Sequence, residues 1–137
     1  METAETARTA AEAAAALGCE VGAIVKSLVF SADDTPLLVL ISGALRVDLK
    51  ALAAQCGVQT VRQANPAVVR EATGFAIGGV APVGHPHPLP TVLDRSLADY
   101  EQIWAAAGTP NAVFPTTYAE LLRLTGGTPA DVATPVP

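Results

Sequence analysis

GAIVKSLVF (residues 22–30) and LLVLIS (37–42) stand on either side of DDTP (33–36). Both flanking runs are apolar and rich in β-branched residues, whereas two aspartates and a proline favour reversal of the chain. The stretch predicts a β-hairpin, and LLVLI, the densest apolar run in the chain, reads as a buried strand. Outward from this hairpin, helical and extended patterns alternate. Upstream, Thr9 and Glu12 form a capping box before AEAAAAL, and Gly18 stops that helix. Downstream, Leu49, Leu52, Ala53 and Cys56 recur at helical spacing after Asp48, with Gly57 as the stop.

VQTVR (58–62) is a short strand candidate, and Asn65-Pro66 opens a helix that ends at Gly74. TVLDRSL (91–97) reads as a strand and NAVFPTT (111–117) as extended. IWAAAG (103–108) fits either period. Thr117 with Glu120 makes a second capping box before YAELLRLTG, and the proline-rich stretch from Thr128 to Pro137 is expected to fray. The class is therefore α/β or α+β, with one domain over 1–127 and a tail over 128–137.

The 137 residues suffice for one buried core, and with half of them hydrophobic and only 15% charged, disorder is not expected for most of the chain. No apolar run approaches the ~20 residues of a membrane helix. The opening METAETARTAAEAAAALG lacks the basic and bulky apolar regions of a signal peptide, so a cytoplasmic protein is expected. Cys19 and Cys56 have no CxxC spacing and read as reduced, packed thiols. A net charge of −5 argues against broad attraction to nucleic acid, although Arg46, Lys50, Arg62 and Arg70 face a single acid, Asp48, between residues 46 and 70.

Two places carry candidate chemistry. Lys26 lies inside AIVKSLVF; a strand lysine ordinarily faces water or snorkels past an edge, and its functional alternative is a cation at a cleft wall, opposite a phosphate or a developing negative charge. FAIGGVAPVGHPHPLP (75–90) holds three glycines, four prolines and both histidines. Glycine admits close approach and proline fixes φ, so such a loop has a defined shape with selected amides uncovered. His85 and His87 are spaced as HxH, but no third ligand is nearby, and the loop matches neither a Walker loop nor a dinucleotide fingerprint. Asp94, at a strand end, could orient a ligand or cap a turn. Trp104 reads as core.

TAAEAAAALGCEVGAIVKSLVF, LVLISGALRVDLKALAAQCG, ATGFAIGGVAPVGH, TVLDRSL and IWAAAGTPNAVF follow one another in an order that resembles the YbaK/ProX-like editing domains. These are aminoacyl-tRNA deacylases that act alone or as an insertion domain of prolyl-tRNA synthetases. The resemblance spans roughly residues 8 to 127. It implies one α/β domain around a mixed, largely antiparallel sheet, a pocket without metal or other cofactor, and hydrolysis of the ester joining a wrong amino acid to tRNA. It tips IWAAAG toward a strand. Family members usually carry a further helix and strand before the TAAEAA helix; if that strand forms a pocket wall, reduced activity is expected without it.

By position, the resemblance implies that Lys26 is the family's essential lysine and that Gly78, Gly79 and Gly84 belong to the catalytic loop. Ser27, Pro82, His85, Asp94, Gly108 and Thr109 would line or support the substrate pocket. Loop amides held by Pro82 and Pro86 would then stabilise the oxyanion formed at the ester carbonyl. The terminal ribose hydroxyl of the tRNA would help activate water, and His85 would shape the amino-acid pocket. A small cavity excludes large side chains, so alanine, cysteine or serine on tRNA-Pro is the expected substrate, and a synthetase is a candidate partner. The rivals are a binding module that retains the pocket without turnover and a plain interaction scaffold.

Overall fold

The fold grows from the hairpin. The computed structural model describes residues 10–65, 67–68, 89–106 and 113–135. Strands β1 (Val25–Ala32) and β2 (Thr35–Ser42) pair antiparallel along their full length, from Val25 opposite Ser42 to Ala32 opposite Thr35. Asp33 and Asp34 make the turn with φ of 45° and 67°, a left-handed pair that suits the twist of a two-residue hairpin. Aspartate tolerates this conformation when its carboxylate finds local donors, and Asp33 accepts from the amides of Gln59 and Thr60.

Strands β3 (Leu45–Val47), β4 (Val61–Gln63), β5 (Thr91–Asp94), β6 (Ile103–Ala106), β7 (Val113–Thr116), β8 (Thr128–Ala130) and β9 (Ala133–Pro135) complete the described sheets. The five-stranded sheet runs β4-β1-β2-β5-β8, while β3 pairs with β9 and β6 with β7. β1 meets both neighbours antiparallel, and β5 runs parallel to β2 and β8. Both small sheets are antiparallel, so the architecture is mixed and largely antiparallel, as expected.

β2 explains why the sheet lies in the middle. Leu38, Val39, Leu40 and Ile41 are all fully buried, which requires cover on both faces. Alternation sends Leu38 and Leu40 into one cluster with Leu93, Leu97, Ile103 and Leu121, and Val39 and Ile41 into another with Leu52, Val92 and Val132. Each such side chain contributes about 1.5–3 kcal/mol by leaving water. A third cluster seats helix α1 (Ala10–Leu17) through Ala13 and Ala14 against Ile24 and Trp104.

Helix α2 (Leu49–Cys56) begins at Asp48, whose carboxylate accepts from the amides of Lys50 and Ala51. Helix α3 (Tyr118–Thr125) begins at Thr117, whose hydroxyl accepts from the Glu120 amide, and ends at Gly126 with φ of 63°. Asn65 likewise accepts from the Val68 amide, the start of the helix expected there.

Three expectations need correction. The strand beginning at Thr91 stops at Asp94 and gives way to a 3-10 turn over Arg95–Asp99, because the Asp94 carboxylate captures the Ser96 amide. The strand in VQTVR is narrower and later, at Val61–Gln63. Most consequentially, the segment from Thr128 to Pro135 does not fray. Thr128–Ala130 is the edge strand of the main sheet, where Pro129 lacks only an N–H that an edge can spare, and Ala133–Pro135 pairs with β3. Ala130, at the end of the first strand, and Val132, between the two, are fully buried.

Candidate active site around Lys26

Lys26 sits near the start of β1, in register with Ile41 of β2. Its ammonium Nζ donates to the Leu45 carbonyl at 2.6 Å. Leu45 opens β3, three residues past the end of β2, so the carbonyl is delivered by the next stretch of chain. The side chain is half-buried, and burial pushes the ammonium below the ordinary lysine range. A charge-assisted bond to one carbonyl leaves two N–H donors for another acceptor.

Ser27 follows Lys26 but turns to the opposite face. Its register partner is Leu40, which belongs to the cluster that also contains Leu93. The Ser27 Oγ is buried and has no hydrogen-bond partner among the described residues. Val68 and Leu89, on either side of segment 69–88, pack against that same cluster.

Asp94 shares the face of Lys26. β2 and β5 align Leu40 with Leu93, so the next positions, Ile41 and Asp94, stand side by side, with Lys26 beyond Ile41. The Asp94 carboxylate is buried and accepts three amides: Ser96 at 3.0 Å, Val132 at 2.7 Å and Ala133 at 3.1 Å. The turn-capping reading of this residue is what the geometry displays. Around it, Arg95 pairs with Asp131 at 2.7 Å and the Tyr118 hydroxyl donates to the Leu93 carbonyl at 3.0 Å.

The structure thus brings Lys26 and Asp94 to one face and turns Ser27 to the other. Gly78, Gly79, Pro82, Gly84, His85, Gly108 and Thr109 lie outside the described residues. Among the described residues no group of three His, Cys, Asp or Glu could hold a metal ion, and no helix could cross a membrane. The Leu45 carbonyl is a partner of Lys26 that the sequence did not point to. Its position just before RVDLKAL was visible, but a main-chain oxygen carries no residue signature.

With this geometry in place, residues 4–124 match the family described as the aminoacyl-tRNA editing domain. The chain belongs to that family. EbsC of Enterococcus faecalis, a candidate Cys-tRNA(Pro)/Cys-tRNA(Cys) deacylase, is 32% identical over 127 residues, 92% of this chain and 77% of EbsC. A crystal structure of a candidate trans-editing enzyme for prolyl-tRNA synthetase superposes with a TM-score of 0.93 at 52% identity, covering 98% of this chain and 85% of that one. The proline–tRNA ligase of Thermosipho melanesiensis is 39% identical over 77 residues, 56% of this chain but only 14% of the ligase. The editing-domain fold is therefore established for this chain, and the described part of IWAAAG, Ile103–Ala106, is a strand, β6.

Proposed function

We propose that this editing domain is a trans-acting deacylase that hydrolyses the ester of tRNA-Pro mischarged with a small amino acid, alanine, cysteine or serine, and needs no metal. The observation that carries the reading is Lys26: a lone, half-buried cation, fixed on a main-chain carbonyl, within a chain of this family. The names of EbsC and of the trans-editing structure support tRNA-Pro as carrier.

Water adds to the ester carbonyl carbon and builds an oxyanion. The carbon–oxygen bond to the terminal ribose then breaks, and the proton shed by water ends on that ribose oxygen. Uncovered amides of Gly78, Gly79 and Gly84 hold the oxyanion, in a loop stiffened by Pro82. The two spare donors of Lys26 hold the terminal nucleotide. Ser27, His85, Gly108 and Thr109 bound the amino-acid pocket, and Asp94 supports it from behind. Because the chain is acidic, a synthetase partner supplies part of the tRNA capture.

The test is a panel of tRNA-Pro charged with alanine, cysteine, serine and proline. Hydrolysis of one or more of the first three, spared proline, and loss of turnover by about 100-fold or more in Lys26→Ala with an unchanged fold are expected. Binding without turnover of any charged tRNA overturns the enzymatic reading.

A further inference from the structure

The buried polar cluster at the end of β5 gathers the segment that follows β8. Asp94 Oδ1 accepts from both Val132 and Ala133, so two successive amides of that segment converge on one buried oxygen. Val132 in turn accepts from the Asp48 amide at 2.7 Å, which ties the segment to the end of β3. From there the β3–β9 register runs Val47 opposite Ala133, Arg46 opposite Thr134 and Leu45 opposite Pro135.

Antiparallel pairs alternate between hydrogen-bonded and non-hydrogen-bonded positions. Asp48 opposite Val132 is bonded, so Arg46 with Thr134 is the next bonded pair, and Leu45 with Pro135 is not. At a non-bonded position the carbonyl of Leu45 faces away from β9, and Pro135 loses nothing by lacking an N–H. That outward carbonyl is the one that receives Lys26 Nζ. β3 has only three residues, and β9 is its sole strand partner among the described residues. A three-residue strand has little intrinsic stability, so its placement depends on what it pairs with.

We propose that β9, latched by Asp94, positions Lys26: the latch fixes β9, β9 fixes β3, and β3 holds out the Leu45 carbonyl on which the ammonium rests. Asp94 is then a positioning residue, and the segment beyond Gly127 is part of the site although the family match ends at residue 124. The link to catalysis rests on the deacylase reading above; the mechanical link does not.

The experiment separates the two. In the full chain, Lys26 carrying a 15N label at Nζ is observed by NMR, where an ammonium held on a carbonyl gives a persistent N–H signal through slowed proton exchange. Asp94→Asn removes the charge that gathers the two amides, and Thr134→Pro removes the N–H that closes the Arg46 pair; Thr134→Ala keeps it. The Lys26 signal is expected in the wild type and in Thr134→Ala, and lost in Asp94→Asn and Thr134→Pro. If the wild type deacylates, turnover number falls about 10-fold or more in those two variants while KM stays within about twofold. Should Asp94→Asn fail to fold, Thr134→Pro decides alone, since β9 is at the periphery of the core. A Lys26 signal that survives in a folded Thr134→Pro overturns the proposal, even if the wild type is active. Loss of the signal in a protein inert toward every charged tRNA upholds the brace and overturns the deacylase.

Discussion

Lys26 offers a point charge on one carbonyl, and that geometry makes a specific demand on its replacement. Arginine keeps the charge but spreads it over a planar fork that is longer and directs its donors differently. Lys26→Arg is therefore expected to retain less than about 1% of wild-type deacylation while melting at a similar temperature. Full retention in that assay means that any nearby positive charge suffices. Ser27 presents the contrary case, a buried hydroxyl without a partner among the described residues. An unsatisfied buried polar group costs about 1–3 kcal/mol, so Ser27→Ala should raise stability by about 1 kcal/mol in urea denaturation. If Ser27 bounds the pocket as proposed, the same variant raises KM several-fold, a gain in stability set against function. An unchanged KM removes Ser27 from the site and leaves the hydroxyl without a role.

Elements were legible in the sequence where their signals are local. Thr117 and Glu120 are three residues apart, as are Asp48 and the amide of Ala51 that it caps, and both helices start where those residues stand. Removing such a cap costs about 1 kcal/mol, the loss expected for Thr117→Ala as a lowered urea midpoint. The hairpin was equally readable, because its apolar runs and its turn are contiguous. What was not legible depends on distant partners. A proline-rich C-terminal segment looks loose until Asp94, more than thirty residues earlier, collects its amides. Lys26 could be singled out as a lone cation in an apolar run, yet its carbonyl partner could not. Packing hides a similar constraint at Gly127, where an added Cβ would collide with the buried Leu93 side chain and lie 3.1 Å from the Thr91 carbonyl. Overpacking of this kind costs about 1–3 kcal/mol, so Gly127→Ala should lower the urea midpoint without changing the denaturant slope.

At the scale of the molecule, protons and salt report on how charge is distributed. Burial raises Cys19, Cys56 and Tyr118 above their ordinary values of 9.0, 9.0 and 10.0, while it lowers Lys26 from 10.5. The three acids hold their protons longer in the folded state, so the stability they contribute is intact below about pH 9 and is lost as pH climbs through their raised midpoints. Lys26 opposes this, because its folded form gives up a proton sooner. Under reducing conditions, the part of the fall above pH 9 that Tyr118 contributes is expected to vanish in Tyr118→Phe, read as a shallower loss of stability with pH. Salt probes the cations. Arg62, Arg95 and Arg123 each pair with an acid, whereas Lys26, Arg46 and Lys50 make no ion pair among the described residues, and these three lie on or beside β3. If those three meet tRNA phosphates, the logarithm of the binding constant falls with the logarithm of salt concentration at a slope of about −2 to −3. Binding of an acceptor-stem RNA should then weaken about 16- to 64-fold between 50 and 200 mM salt, both figures following from that slope. Arg46→Ala and Lys50→Ala should each reduce the slope by about 1, at little cost to stability because both side chains are exposed. A slope near zero assigns tRNA capture to a partner protein, and the acidic surface then sets the division of labour between the two.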